Sequence, residues 1–218
     1  VTPLAFTFFD WETADGQPTM DPVALLQAIR RNADRIAVFC QAGEIKVPPR
    51  EQRLFAYLED CVHEVTAPSA NGVFHPKVWV LRFVGGDTGV MYRVICASRN
   101  ITFDRSWDTL LVLDGHLRDR QNAFGMNHPL GDFVKHLPHM TLQALPASIV
   151  ARIEQIQHEI RRVEFDHPEG MTLVAFWPLG IPGHQRWPFA NARDRFLVIS
   201  PFLAPGTLVA LTSTAGRG

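Results

Sequence analysis

The sequence predicts a layered α/β fold: a mixed β-sheet flanked by helices on both faces. Three observations carry that expectation. Short apolar runs of strand character recur along the chain, at residues 4–11, 35–41, 73–83, 90–100, 109–113 and 196–200. Between them stand segments with apolar residues at helical spacing, above all 146–163, where Ile149, Ile153, Ile156 and Ile160 share one side. The 218 residues, 46% hydrophobic and 20% charged, are ample for a large core of the ordinary soluble kind. Strands and helices interspersed in this way are the pattern of α/β layers.

Taken in order, residues 4–11 (LAFTFFDW) are apolar and aromatic, as a buried strand is, and 12–21 form a loop around Gly16 and Pro18. Asp21 suits an N-cap and Pro22 a first helical turn, for a helix over 23–32 with Val23, Leu26 and Ile29 together. A second buried strand follows at 35–41 (RIAVFCQ). Pro48-Pro49 then breaks the chain, and 50–61 is amphipathic, with Leu54, Tyr57, Leu58 and Cys61 on one side. A short strand is expected at 62–67. Residues 73–83 (VFHPKVWVLRF) and 90–100 (VMYRVICASRN) are joined by the glycine-rich link 84–90, which suits a hairpin turn. Residues 109–113 (TLLVL) form a further strand, whereas 115–139, interrupted by Gly125, Pro129, Gly131 and Pro138, is expected to be irregular. The helix over 146–163, a strand at 171–177, a loop at 180–193, a strand at 196–200 and a helix over 205–211 complete the pattern.

A net charge of −1 supplies no global basic field, so any polyanion binding has to be local. Three cysteines, Cys40, Cys61 and Cys96, are too scattered for a disulfide framework. With Cys40 and Cys96 inside apolar runs they read as free buried thiols, which points to the reducing cytoplasm. No apolar run nears the roughly 20 residues of a membrane-spanning helix, and no secretory leader opens the sequence.

The chemistry concentrates at the open end of the hairpin. Alternation along a strand points His75 and Lys77 to the same face. Folding the two runs back about Asp87 sets His75 opposite Arg99, with Asn100 beside it, and directly opposed residues lie roughly 5 Å apart. An imidazole, an ammonium and a carboxamide then converge on a space the size of a small anion. His-x-Lys alone is a common strand-edge pattern. Here it stands at the mouth of the apolar strand Val78-Trp79-Val80-Leu81, where polar groups need a reason. The returning strand ends in small residues and a carboxamide, Cys96-Ala97-Ser98-Arg99-Asn100.

His75-x-Lys77, then Ala97-Ser98-x-Asn100, with Ser106-Trp107-Asp108 behind it, resembles the phospholipase D superfamily over about residues 73–113. That family's optional Asp, five residues after the Lys, is Arg82 here. The chain is therefore nearer the HxK…N variant of tyrosyl-DNA phosphodiesterase-like and nuclease members. The resemblance implies a phospholipase D/nuclease-like half-domain and a two-half active site without metal or other cofactor. One His attacks phosphorus to form a phosphohistidine and the other protonates the leaving oxygen. It implies catalytic roles for His75, Lys77, Asn100 and Asp108, and substrate contacts at Ser98 and Arg99. The residue chemistry agrees: a neutral imidazole is a competent nucleophile near pH 7, and Lys77 and Asn100 can donate to phosphoryl oxygens. Asp108 would orient His75 through its second ring nitrogen; the alternative is a strand-start residue paired with Arg105.

No other His in the chain is followed two places on by Lys. The second half is expected from a following segment or from a homodimer mate. Residues 1–195 then form the first half-domain, and 196–218 the opening of a second half or a connecting segment of a longer protein.

Other clusters weigh less. His128, His136 and His139 lack a Cys or acidic residue at tetrahedral spacing and, beside Pro129 and Pro138, read as solvated loop rather than a metal site. His184, Arg186, Trp187, Arg193 and Arg195 mix basic and aromatic residues as a single-strand groove does. Arg186 and Trp187 are accordingly assigned to substrate, against the alternative that Trp187 caps the core. The expected activity is metal-independent phosphodiester cleavage of nucleic acid, single-stranded or at an end. A lipid-cleaving enzyme is disfavoured by the lack of a basic amphipathic helix. A catalytically silent binding module is disfavoured by the intact His75, Lys77 and Asn100.

Overall fold

The structure, a computed structural model, describes residues 22–45, 56–70, 72–86, 89–100, 105–172, 174–184, 186–189, 197–198 and 204–214. The expected strand at 4–11, the Asp21 cap, Pro48-Pro49, Arg193, Arg195 and most of the expected strand at 196–200 lie outside the described residues. Within them the chain is mixed α/β. Helix α1 spans Pro22–Asn32, strand β1 Val38–Gln41, helix α2 Ala56–Glu59 and strand β2 Val62–Val65. Strands β3 (Val78–Gly85), β4 (Gly89–Ala97) and β5 (Leu110–Leu117) precede helices α3 (His128–Met140) and α4 (Ala147–Ile160). The short strand β6 (Val163–Phe165) and helix α5 (Pro205–Thr214) follow. β1 and β2 pair in parallel, and β3-β4-β5-β6 form an antiparallel four-stranded sheet.

The β3–β4 hairpin closes with Gly85 opposite Gly89, and Val78 pairs with Cys96, so the register centres on Asp87 as the glycine-rich link predicts. Gly89 has a φ of 71°, a left-handed conformation that favours glycine. One face of the sheet carries Tyr92, Val94 and Leu113, which pack with Leu130 of α3, Ile160 of α4 and Val163 of β6 in one buried cluster. Val78 and Val80 join it from β3. The sequence expects helices on both faces; among the described residues α3 and α4 both cover this side, while Phe83, Leu110 and Val112 on the opposite side are exposed. Phe39 of β1 and Val80 of β3 pack against the same group, Val134, Ile149 and Ile153, so β1 lies within the same layered core.

Three expectations are corrected. Residues 115–139 are not irregular: β5 continues to Leu117 and α3 covers His128–Met140, burying Leu130, Val134, Leu137 and Met140 at helical spacing. Pro129 sits in the first helical turn, where its missing N–H costs nothing, and Pro138 in the last. Gly131 is a packing requirement, since a Cβ there would come within 2.7 Å of Arg161 Nε. The described residues of 171–177 form no strand; the edge beside β5 is taken instead by β6, with Val174 and Phe176 packed on the core as irregular chain. Cys96 is also exposed rather than buried, whereas Cys61 is buried with its Sγ donating to Ala33 O at 3.0 Å.

Arg82 and Tyr92 face each other across the hairpin and share one carboxylate of α4. Arg82 donates to both Glu159 oxygens, at 2.7 and 3.1 Å, and Tyr92 Oη donates to Oε2 at 2.6 Å. Burial alone would raise the Glu159 carboxyl; hydrogen bonds from Arg82, Tyr92 and Gln155 outweigh it and hold the group below the usual carboxylate range. Burial and the Glu159 carboxylate push the Tyr92 hydroxyl far above its ordinary value.

Glu159→Ala leaves a guanidinium and a hydroxyl without their acceptor, and is expected to cost about 3 kcal/mol, roughly a 10 °C fall in Tm by circular dichroism. A paired Arg82→Met, Glu159→Met replacement recovers most of that loss; a double variant as unstable as the single one would sink the ion-pair account. Because the folded carboxyl is depressed, its contribution is present above the unfolded value of about 4.3 and lost as pH falls further. Glu159→Gln should therefore flatten the acid limb of the stability curve below that pH.

Candidate functional site

The residues 72–77 that lead into β3 carry no regular secondary structure and are not yet in the sheet. Pro76 restricts His75 to extended conformations and withholds a ladder donor, so pairing begins only at Lys77, whose carbonyl accepts from Ala97 N at 2.9 Å. Continued to its end, the hairpin register sets His75 level with Arg99. Phe74 N donates to Gln41 Oε1 at 2.7 Å, which ties the segment to the end of β1. Gln41 is a supporting residue that sequence reasoning missed; its signal was a polar side chain closing the apolar run of β1.

His75 and Lys77 meet as their alternation requires. Lys77 Nζ lies 3.0 Å from His75 Nδ1 and 3.1 Å from Nε2, and donates to the His75 carbonyl at 3.3 Å. Nearly equidistant from both ring nitrogens, the ammonium lies over the imidazole face and not along either in-plane lone pair. Partial burial pushes the Lys77 ammonium below its usual range. The imidazole itself is exposed, open to a ligand from solvent.

Ser98 joins the exit of β4 to the entry of β5. Its N–H donates to Thr109 O at 3.0 Å, its Oγ accepts from Thr109 N at 3.0 Å and donates to Asp108 Oδ1 at 2.9 Å. Asp108 is thus engaged with Ser98; among the described residues no hydrogen bond links it to His75 or to Arg105. The strand order explains this, since β4 stands between β3 and β5 and neighbouring strands are about 4.8 Å apart. Asn100 is exposed two residues past Ser98, and Arg99 is half-buried. The structure therefore gathers His75, Lys77, Ser98, Arg99, Asn100 and Asp108 at one end of the sheet.

Arg186 and Trp187 are not part of that gathering. Arg186 lines a cavity with Gly125, Met126 and Pro129, at the start of α3. Met140, at the other end of α3, packs in the cluster that includes Phe74, next to His75. The 13 residues of α3 separate the two places by about 20 Å. His184 Nε2 lies 2.9 Å from Asp132 Oδ2, and Arg161 donates to Asp132 Oδ1 at 2.6 Å, which ties this loop to α3. His128, His136 and His139 lie on or at the start of α3, not in a loop, and among the described residues no group of three metal-ligating side chains forms. Nor is any described helix long and apolar enough to cross a membrane.

Ser98→Ala removes both side-chain bonds of the β4–β5 junction at an exposed position, and is expected to cost about 1 kcal/mol in chemical denaturation. An unchanged midpoint would show that the junction does not depend on them. No family model matches this chain, and no curated protein or solved structure matches it either.

Proposed function

We propose that the chain carries the nucleophile of a metal-independent phosphodiesterase acting on nucleic acid, with His75 forming a phosphohistidine. One observation supports this above the others: Lys77 Nζ lies against the ring of an exposed His75. A phosphate drawn to the ammonium arrives beside the imidazole. As Lys77 turns to a phosphoryl oxygen, it leaves the face of the ring, and a ring nitrogen attacks phosphorus. The N–P bond forms as the P–O bond to the leaving group breaks, and that oxygen takes a proton from an acid outside this cluster. Water, giving a proton to the base which that acid has become, then attacks phosphorus, the N–P bond breaks, and the imidazole returns. Lys77 and Asn100 donate to the oxygens on which charge accumulates. Ser98 and Asp108 act by holding the β4–β5 junction at which Asn100 stands.

Arg82, at the position of the superfamily's optional Asp, is committed to Glu159, which supports placing the chain with the nuclease-like variant. The acid would come from a second half, supplied by a further segment or by a second copy of the chain. A second reading has its own observation: Trp107, Leu110 and Val112 are exposed beside Asp108, an apolar rim that suits a lipid ester.

The full-length protein is assayed with EDTA on single- and double-stranded DNA, on RNA and on phosphatidylcholine vesicles, over a range of protein concentrations. Cleavage of nucleic acid is expected, with a phosphoenzyme trapped from labelled substrate that resists alkali and is released by acid. His75→Ala should abolish the trapped species, and Lys77→Ala should lower turnover by 10²–10³-fold, of the order seen when one oxyanion donor is removed. Wild-type rates for His75→Ala would exclude the nucleophile; loss of activity in EDTA would exclude the metal-free route; cleavage of lipid alone would favour the second reading. Inactivity on every substrate would favour a silent binding module.

A further inference from the structure

The cavity at the start of α3 has a composition that the fold does not need. Its volume is about 300 Å³, at the low end for small-molecule sites. Phe176, Trp177, Met126 and Leu179 supply apolar and aromatic walls, with His184 and Arg186 as the polar lining. Trp177 is 47% exposed and Leu179 52%, so neither belongs to the core; both present apolar area to solvent at the cavity mouth. Arg186 is exposed and forms no ion pair with another described residue, unlike Arg161, which is committed to Asp132. His184 is held at the wall by its bond to Asp132, whose other oxygen is taken by Arg161. A cluster serving only to pin the loop would need neither the open aromatic wall nor the second cation.

An aromatic wall beside an arginine is what a nucleotide requires: a face for the base to stack on and a charge for its phosphate. We infer that this cavity is a second contact point for single-stranded nucleic acid, taking one nucleotide of the strand whose scissile phosphate lies at His75. This rests on the nucleic-acid reading proposed above and names where such a strand is held. The length of α3 alone is about 20 Å, and His75 projects from the sheet face away from that helix, so a stacked strand at about 3.4 Å per nucleotide needs at least roughly six nucleotides to round the sheet edge and reach the cavity. Lys135 and His139, both exposed, stand along α3 between them. Cleavage then depends on strand length, because only a strand long enough to reach the cavity engages both ends of the domain.

The test is direct binding, measured by fluorescence anisotropy on the full chain carrying His75→Ala so that no strand is cut. The probes are oligothymidylates of three and twelve nucleotides, together with thymidine 5′-monophosphate. The twelve-mer is expected to bind more tightly than the trimer, and Trp177→Ala or Arg186→Ala to weaken the twelve-mer at least five-fold, the lower end for one stacked base. The trimer, which can occupy either place but not both, should lose less affinity than the twelve-mer with either change, and the mononucleotide should lose its binding with Trp177→Ala. Unfolding temperatures of the Trp177 and Arg186 variants equal to that of the parent exclude a folding defect. Equal affinity for both lengths, or a twelve-mer indifferent to Trp177 and Arg186, overturns the inference and leaves the phosphodiesterase reading standing. Conversely, length-dependent binding that needs Trp177, in a protein that cleaves nothing, leaves the cavity as a nucleotide site without the chemistry.

Discussion

Arg82 and Tyr92 sit opposite each other on adjacent strands and reach the same carboxylate, Glu159, on the helix above them. That shared acceptor constrains the fold in two ways at once. A slip of one residue in the β3–β4 pairing would separate the two donors and turn one of them to the far face of the sheet. A rotation of α4 would withdraw the carboxylate from both. The same face carries Val78, Val80 and Val94, so the apolar core and the ion pair demand the same register. Everything at the hairpin's open end follows: if Val78, Val80 and Arg82 face the helices, then His75 and Lys77 project from the opposite side, clear of α3 and α4. The position at which the phospholipase D superfamily can place an Asp is therefore occupied by a residue that holds the scaffold, not the substrate.

What could be read in the sequence and what could not divides along physical lines. The hairpin register was legible because two apolar runs of similar length flank a glycine-rich link with a single sensible centre, Asp87. The meeting of His75 and Lys77 followed from alternation alone. Helix α4 was legible because its isoleucines recur without interruption. Helix α3 was hidden by Pro129, Gly131 and Pro138, each a helix breaker when taken singly. Their positions reverse that reading: one proline falls in the first turn, the other in the last, and the glycine lies where Arg161 crosses. The partner of Asp108 was hidden for another reason. Residues 100 and 108 are close in sequence to each other and to the site, but which side chain they meet depends on strand order. With β4 between β3 and β5, Asp108 meets Ser98 at the junction it shares, not His75 one strand further on.

The loop bearing Arg186 and Trp187 shows how composition can be read correctly and placed wrongly. Basic and aromatic residues do lie together there, against a cavity, but α3 stands between that cavity and His75. Nothing in the sequence measured that separation, since it depends on α3 being a continuous helix through three apparent breakers. Once α3 is in place, its two ends mark two different environments. One end holds an exposed imidazole and an ammonium beside a sheet edge, the other an aromatic cavity with a committed Asp132–Arg161 pair at its back.

The contact between Lys77 and His75 also bears on how the site rests when empty. Lys77 Nζ lies within 3.1 Å of both ring nitrogens, over the imidazole face, so the ammonium stands where an incoming phosphate would meet the ring. A weakly binding anion cannot draw Lys77 away, because the exchange gives up the ammonium's contacts with the ring and with the His75 carbonyl to make a hydrogen bond of similar strength. A phosphodiester held at a second point along its chain can, since its phosphate is then presented at high effective concentration. The pairing that shields His75 thus makes it selective for substrates anchored elsewhere. On this account, the chemistry at the hairpin's end and the recognition at the far end of α3 depend on each other.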